Sequence, residues 1–162
     1  MKLAARFASV AFLAVAAATA QAQVPNFAGT WTVIPDPNAA PGGGGGGGGG
    51  RGGAGPLTIA QDANTITVTR TTQAGETKTI YNLNGSASKN TMNFGGNAME
   101  QTSTLKADGP KVTITTKFEG PNGPIETTQS WWIENGNLVI ESTGMGRGGN
   151  GPTVTKRTYK KS

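Results

Sequence analysis

The sequence contains no cysteine and no histidine. Without cysteine there can be no disulfide, no thiol nucleophile and no lipid attached through a thiol. The absence of histidine removes the most common general base and, together with the absence of cysteine, nearly all zinc sites. A Ser-His-Asp triad is therefore excluded, and we expect neither a metal nor a cofactor.

Acidic residues are also scarce, with nine Asp and Glu in 162 residues. Asp62 and Asp108 fall at predicted turns, and most glutamates fall on the predicted outer face of strands. A pair of carboxylates placed for glycoside hydrolysis is therefore not indicated. We expect a protein that is not an enzyme.

One long apolar run stands at the N-terminus. Lys2 and Arg6 accompany a run from Phe7 to Ala18, and Ala20-Gln21-Ala22 follows it. This order is typical of a secretory signal peptide, and the run is shorter than the roughly 20 residues of a membrane span. We predict a signal helix in 1–22, cleavage near Ala22, and export to a periplasm or the extracellular space. Residues 23–162 then form a single domain, which must rely on its core because no disulfide supports it.

The predicted mature chain is only mildly basic, because loss of Lys2 and Arg6 lowers its formal charge from +5 to +3. The basic residues within 156–161 are typical of a solvated chain end. Arg51 and Arg147 lie in Arg-Gly-Gly segments similar to those of RNA-binding proteins, but flanking aromatics and a dense basic stripe are missing. We expect no nucleic-acid partner and no membrane span.

A glycine-rich segment interrupts the first part of the predicted domain. Gly42 to Gly50 is unbroken glycine, and Arg51-Gly52-Gly53-Ala54-Gly55 follows. Such a segment has almost no side chains to pack, so we predict a disordered loop over 35–56. The loop is either a tolerated expansion, which the composition favours, or a lid over a pocket.

The rest of the chain alternates threonine with apolar residues, as in 65–69 and 112–115. A period of two is typical of strands with one apolar face, and no window shows a helical period. Short turn signals such as Asp62-Ala63 separate the runs. We predict about nine strands, near 27–34, 57–61, 64–72, 76–83, 98–106, 111–118, 125–134, 137–144 and 152–160.

Such a sequence of hairpins is an up-and-down antiparallel meander. A meander of 8 to 9 strands tends to close, because closure removes the unpaired edges that invite aggregation. We therefore predict an all-β barrel.

The predicted Asn135-Gly136 turn tests whether the hairpins share an interior. A two-residue turn there sets Trp131 opposite Ile140 and Ile133 opposite Leu138 on an inward apolar face. The neighbouring Trp132 and Val139 then lie together on the outer face. An outward tryptophan beside a valine is either a contact patch or local edge packing.

The predicted Asp108-Gly109 turn has the same consequence. It places Leu105 opposite Val112 on the inner face, and it pairs Glu100 with Lys117 on the outer face.

The predicted Ala74-Gly75 turn sets Val68 opposite Tyr81. The same register directs Arg70 inward, opposite Thr79 and close to Tyr81. A planar guanidinium inside a barrel can bind a carboxylate or a phosphate. The alternative is that its stem packs inside while its charge reaches solvent at the rim.

Further polar residues are predicted to face inward. Full burial of these groups without partners would cost about 1 to 3 kcal/mol each, so the interior is expected to hold water or ligand. The alternative is an open, imperfect barrel. The residues are Gln101, Ser103, Thr116, Thr127 and Gln129.

The first strand carries a motif with a known counterpart. It opens with Asn26-Phe27-Ala28-Gly29-Thr30-Trp31, and Gly29-x-Trp31 at that place resembles the opening strand of lipocalins and avidin-like barrels. In those families the tryptophan closes one end of the barrel, and a basic residue on or after the last strand packs over it. The resemblance assigns that role to Arg157.

The resemblance extends over the whole predicted mature chain. The hairpins ending in residues 155–159 are similar to small lipocalin-like (calycin-type) domains of exported bacterial proteins whose role is unassigned. The sequence departs from true lipocalins because it has no Cys pair, no C-terminal helical segment and no Thr-Asp-Tyr motif. The resemblance therefore bears on fold more than on ligand.

Two functions remain open at this stage. The first is a non-enzymatic barrel that binds a small, partly apolar or anionic molecule through Arg70, Tyr81, Gln129 and Trp131. The second is a protein-protein interaction module with a filled barrel, acting through its loops or Trp132.

Overall fold

The computed structural model describes residues 24–35, 55–72, 75–94, 97–120, 123–145 and 151–162. The predicted signal peptide and most of the glycine-rich loop, residues 36–54, lie outside the described residues. The described part is all-β and contains ten strands, which are β1 (Gly29–Val33), β2 (Leu57–Gln61), β3 (Thr65–Thr72), β4 (Gly75–Asn82), β5 (Ser88–Phe94), β6 (Asn97–Asp108), β7 (Lys111–Gly120), β8 (Gly123–Glu134), β9 (Asn137–Met145) and β10 (Pro152–Lys161).

The strands form one antiparallel sheet in the order β4-β3-β2-β1-β10-β9-β8-β7-β6-β5. The first and last strands pair, with Trp31 opposite Lys161 and Val33 opposite Tyr159. The strands at the two ends of this order, β4 and β5, also contact each other. The sheet is thus a nearly closed up-and-down barrel, as predicted.

The tenth strand, β5, was missed by the prediction of nine. Its buried positions, Ser88 and Asn90, are polar, and Lys89 and Thr91 between them are exposed. Alternation with apolar residues is confined to Met92 and Phe94 at its end, which is too short a pattern to identify a strand.

The β8–β9 register matches the prediction from the Asn135-Gly136 turn. Trp131 lies opposite Ile140 and Ile133 opposite Leu138, and both turn residues have positive φ, 51° and 77°. These angles fit the type I′ turn that connects twisted strands best. Ile133 lies at the barrel end and is 37% exposed, so its predicted burial is wrong.

The β6–β7 register differs by two residues from the predicted one. Leu105 pairs with Ile114 instead of Val112, and Asp108 pairs with Lys111. Proline has no N–H for the ladder, so Gly109-Pro110 forms the turn instead of Asp108-Gly109. A shift of two keeps every side chain on its predicted face.

The predicted outward pair of Glu100 and Lys117 is therefore wrong. Glu100 pairs with Lys89 of β5, at 3.1 Å between Nζ and Oε1. Lys117 pairs with Glu126 of β8, at 3.0 Å between Nζ and Oε2. The two-residue shift moves each charge next to a partner on the other neighbouring strand.

The β3–β4 register is also shifted by two. Val68 pairs with Thr79, and Arg70 pairs with Thr77 instead of Thr79. The loop falls at residues 73–74, which lie outside the described residues. Tyr81 now lies opposite Ile66, and Arg70 keeps its inward direction.

The seam between β4 and β5 is held by a side chain. No β-ladder joins these two strands in the described part of the chain. Ile80 N donates to Asn90 Oδ1 at 2.7 Å, and Asn90 Nδ2 donates to Ile80 O at 2.9 Å. The Asn90 amide thus supplies one donor and one acceptor, as a backbone peptide of a paired strand would.

A glutamine fastens the N-terminal segment in the same way. Phe27 N donates to Gln61 Oε1 at 2.9 Å, and Gln61 Nε2 donates to Pro25 O at 3.0 Å. These bonds hold residues 25–27 across the barrel end where β1 begins. Phe27 is fully buried there.

Asn90→Ala is expected to destabilise the barrel and open the seam. Both Ile80 backbone groups would lose their partner, which costs about 1 to 3 kcal/mol in the free energy of unfolding. Urea unfolding and hydrogen exchange at the Ile80 amide would measure the two effects. Asn93→Ala, an exposed change on the same strand, is the control and should leave both unchanged. Equal stability and equal Ile80 protection in the two variants would contradict the role of Asn90.

Candidate functional site

The end of the barrel at Phe27 is filled by an apolar cluster, which we call the apolar floor. Its centre is Trp131, whose ring makes T-shaped contacts with Phe27 and Tyr81, with centroids 5.9 Å apart in both cases. Trp131, Phe27 and Tyr159 are at most 1% exposed. The other members are Trp31, Leu57, Ile59, Ile66, Val68, Leu105, Val112, Ile114, Leu138 and Ile140.

The Gly29-x-Trp31 motif lies at this end, as the resemblance implies. Trp31 is buried, and its Nε1 donates to Phe27 O at 2.8 Å. The basic group over its ring is Lys161, whose Nζ lies 5.6 Å from the ring centroid. A Cβ on Gly29 would lie 2.5 Å from Lys161 Cε, and Gly29 has a φ of 142°. The positive φ favours glycine at this position, and the flexible end of the lysine side chain lies in the space that a Cβ would take.

Arg157, to which the resemblance assigned that role, lies four residues before Lys161 on β10. It pairs with Ile140, which in turn pairs with Trp131, so its side chain faces the interior beside the floor. Sequence analysis missed this inward position because residues 156–161 were interpreted as a solvated end. Alternation with the buried Tyr159 is the signal that could have found it.

Above the floor, eight inward side chains are polar and only half-buried, and we call this set the polar belt. Because they face the interior and still retain exposed surface, solvent reaches the space between them. Six members carry hydroxyl groups, namely Thr77, Thr79, Thr116, Thr127, Ser142 and Thr155. Two carry amides, namely Gln101 and Gln129.

The polar belt confirms the predicted inward face of Gln101, Thr116, Thr127 and Gln129. The fifth predicted residue, Ser103, is buried, and its hydroxyl lies 2.8 Å from that of Thr116. Among the described residues, no buried side-chain nitrogen or oxygen lacks a hydrogen-bond partner. The interior therefore avoids the cost of dehydrated polar groups by keeping them hydrogen-bonded or wet.

The four predicted ligand residues are brought into one region of the interior. Trp131 Nε1 donates to Gln129 Oε1 at 3.0 Å, which joins the floor to the polar belt. Tyr81 contacts Trp131 through its ring. Arg70 lies on the strand next to Tyr81 and is close enough to act electrostatically on its hydroxyl.

Burial dominates the electrostatics of Tyr81. Removal from water raises the pKa of the Tyr81 hydroxyl to about 12, although the positive charge of Arg70 acts to lower it. Tyr81 is therefore a neutral hydroxyl at physiological pH.

Acidic residues are confined to the outer face and the turns of the described chain, whereas positive charges lie on both faces. Arg70 and Arg157 face inward by register. The described acidic residues occupy outward strand positions or turns, for example Glu126 on the face opposite to Thr127. Within the described residues, no group of three or more His, Cys, Asp or Glu could hold a metal ion.

The predicted outer pair of Trp132 and Val139 is confirmed. The two residues lie opposite each other, and Val139 is fully buried although it faces outward. The Nζ atoms of Lys111 and Lys156 lie 4.4 Å and 5.4 Å from the centroid of the Trp132 ring. The tryptophan is thus covered in part by lysines of its own chain, as expected for local packing.

Comparison with known proteins finds the same fold in lipid-binding barrels. Lipid binding protein 8 of Caenorhabditis elegans has a TM-score of 0.58 and 15% identity, covering 84% of this chain and 95% of that one. The zebrafish ileal bile acid-binding protein, complexed with cholic acid, has a TM-score of 0.55 and 19% identity, covering 84% and 98%. A mutant of the REP1-NXSQ fatty acid transporter has a TM-score of 0.52 and 17% identity, covering 83% and 97%.

No protein-family model matches the sequence, and no curated protein matches it either. The structural similarities, at these low identities, establish a lipocalin-like barrel. In the described part of the chain, no helix is long and apolar enough to cross a membrane.

Tyr81 should make the stability of the fold depend on pH above 10. Its folded pKa of about 12 exceeds the usual 10.0, so its stabilising effect is complete below pH 10 and is lost as pH rises from 10 to 12. The loss is about 2 to 3 kcal/mol. Urea unfolding between pH 9 and 12 should show this decline in the wild type. Tyr81→Phe should lack that component, and identical slopes in the two proteins would contradict the assignment.

Proposed function

We propose that this protein is an exported, non-enzymatic barrel that binds a small anionic molecule in its interior. The observation that carries the proposal is the inward guanidinium of Arg70, placed next to a solvent-reached polar belt and above a filled apolar floor. A guanidinium offers planar donors that match a carboxylate or phosphate. The cation faces an interior toward which no described acidic residue points.

The similar structures support a binding role. Their names describe a lipid binding protein, a bile acid-binding protein and a fatty acid transporter, and all three are barrels with the present fold. Fold similarity alone does not transfer a ligand. The interior of this chain therefore has to indicate the ligand through its own residues.

The second function considered from sequence, a protein-protein interaction module, has less support. Of the two surfaces considered for it, the loops and Trp132, the Trp132 ring is covered in part by two lysines. A filled interior is required, whereas the polar belt retains exposed surface.

The proposed cleavage near Ala22 is compatible with the contacts of residues 24–27. Gln61 bonds Pro25 and Phe27, and Val24 packs against the core. These contacts all lie after the proposed cleavage site.

The mature N-terminus tests the proposal of export. We expect the intact mass of protein recovered from the periplasm or medium to correspond to a chain that begins near Gln23. A chain that starts after Phe27 or retains Met1 would contradict the proposed processing. Replacing Lys2 and Arg6 with Asn should block export and provides the control for passive leakage.

Binding can be tested by native mass spectrometry of the protein purified gently from its own source. We expect a discrete small-molecule adduct that is lost in Arg70→Ala, because the anion loses its guanidinium partner. Lys78→Ala, which removes a positive charge from the exposed outer face of the neighbouring strand, should retain the adduct. A bare mass in the wild type, together with no binding of any added anion, would overturn the proposal.

A further inference from the structure

We propose that the ligand is a hydroxyl-rich anion, of the class of sugar acids and sugar phosphates, and that long-chain fatty acids are excluded. This inference rests on the proposed function and narrows it to one chemical class. It differs from what the names of the structurally similar proteins describe. It is based on the contrast between the apolar floor, which is packed with side chains, and the polar belt, which solvent reaches.

The apolar floor offers no space for an acyl chain. Trp131, Phe27 and Tyr159 are packed to at most 1% exposure, and the two aromatic contacts of Trp131 fill the centre of the floor. The apolar part of the interior is thus used by the protein itself. A ligand would have to lie against the polar belt.

The polar belt can form many hydrogen bonds with a ligand. Gln129, Ser142 and Thr155 lie opposite one another on three consecutive strands, and Thr116 lies opposite Thr127. Side chains that are opposite on adjacent strands are about 4.5 to 5.5 Å apart at Cβ. Each hydroxyl can donate and accept, so the belt suits a compact ligand with several hydroxyl groups.

An acyl chain in the same place would be unfavourable. It would displace water from hydroxyl and amide groups and offer them no hydrogen bond in return. Among the described residues, the apolar side chains that face the interior away from the floor are Met92, Met99, Phe118 and Ile125, on β5, β6, β7 and β8. They are too few to surround a long chain.

The charge of the interior selects among hydroxyl-rich compounds. Arg70 and Arg157 point inward from β3 and β10, on either side of β1 and β2 in the sheet. They would favour a carboxylate or phosphate group over a neutral sugar.

Isothermal titration calorimetry with defined probes tests this inference. The anionic probes are glucuronate, gluconate and glucose 6-phosphate, with glucose as the uncharged control and oleate as the fatty acid. We expect at least one anionic probe to bind at least ten-fold more tightly than both glucose and oleate. Binding of oleate without any of the three anions would overturn the ligand class but leave the proposed function standing. Failure of all probes would also overturn the class, and the native mass experiment would then decide the proposed function separately.

A pair of variants on β8 tests the polar belt directly. Thr127→Val with Gln129→Leu removes hydrogen-bonding groups from the inner face and is expected to weaken the anionic probe at least ten-fold. Thr128→Val with Ser130→Ala makes similar changes on the outer face of the same strand and should alter binding less than two-fold. Equal loss in both variants, or none in either, would overturn the role of the belt.

Discussion

The burial of Trp131 is the interaction on which the rest of the barrel depends. Its ring is packed edge to face against Phe27 from the N-terminal segment and Tyr81 from β4, and each such contact contributes about 0.5 to 1.5 kcal/mol beyond area burial. Its indole nitrogen bonds Gln129, the first polar residue above the floor. The Trp131 side chain therefore joins parts of the chain that are distant in sequence. It also lies at the boundary between the apolar floor and the polar belt.

Two side-chain amides form hydrogen bonds with backbone groups that strand pairing does not satisfy. Asn90 bonds both backbone groups of Ile80 across the seam between β4 and β5, and Gln61 bonds Pro25 and Phe27 at the end of the barrel. An amide can replace a peptide group because it has a donor and an acceptor at the same spacing. The two amides thus supply backbone bonds at the β4–β5 seam, where the described residues form no ladder, and at the end of the barrel.

The two faces of the sheet have different chemistry because side chains alternate along each strand. The outer face carries ion pairs such as Lys89 with Glu100, while the inner face carries two arginines, hydroxyl groups and amides above the apolar floor. The inner face thus carries positive charge and no acidic residue among the described positions, which is the basis of the proposed anion binding. The similar structures share the fold, and the proposed ligand rests on the polar belt of this chain alone.

Much of the architecture could be predicted from sequence because a period of two assigns each residue to a face. The meander, the barrel, the Asn135-Gly136 hairpin and the inward direction of Arg70, Gln129 and Trp131 all follow from alternation and turn chemistry. Sequence did not identify β5, because its buried positions Ser88 and Asn90 are polar and the bonds of Asn90 to β4 arise only in the folded barrel.

By itself the sequence therefore determined which face each side chain occupies and excluded the chemistry of cysteine and histidine. Tertiary structure decided which residues meet. In the β3–β4 and β6–β7 hairpins, the observed register differs from the predicted one by two residues. Alternation cannot detect such a difference, because every side chain stays on the same face. Lys161 lies over Trp31, since the pairing of β1 with β10 joins residues that are far apart in the chain. Local patterns carry no information about such contacts, because closure of the sheet alone brings the two strands together.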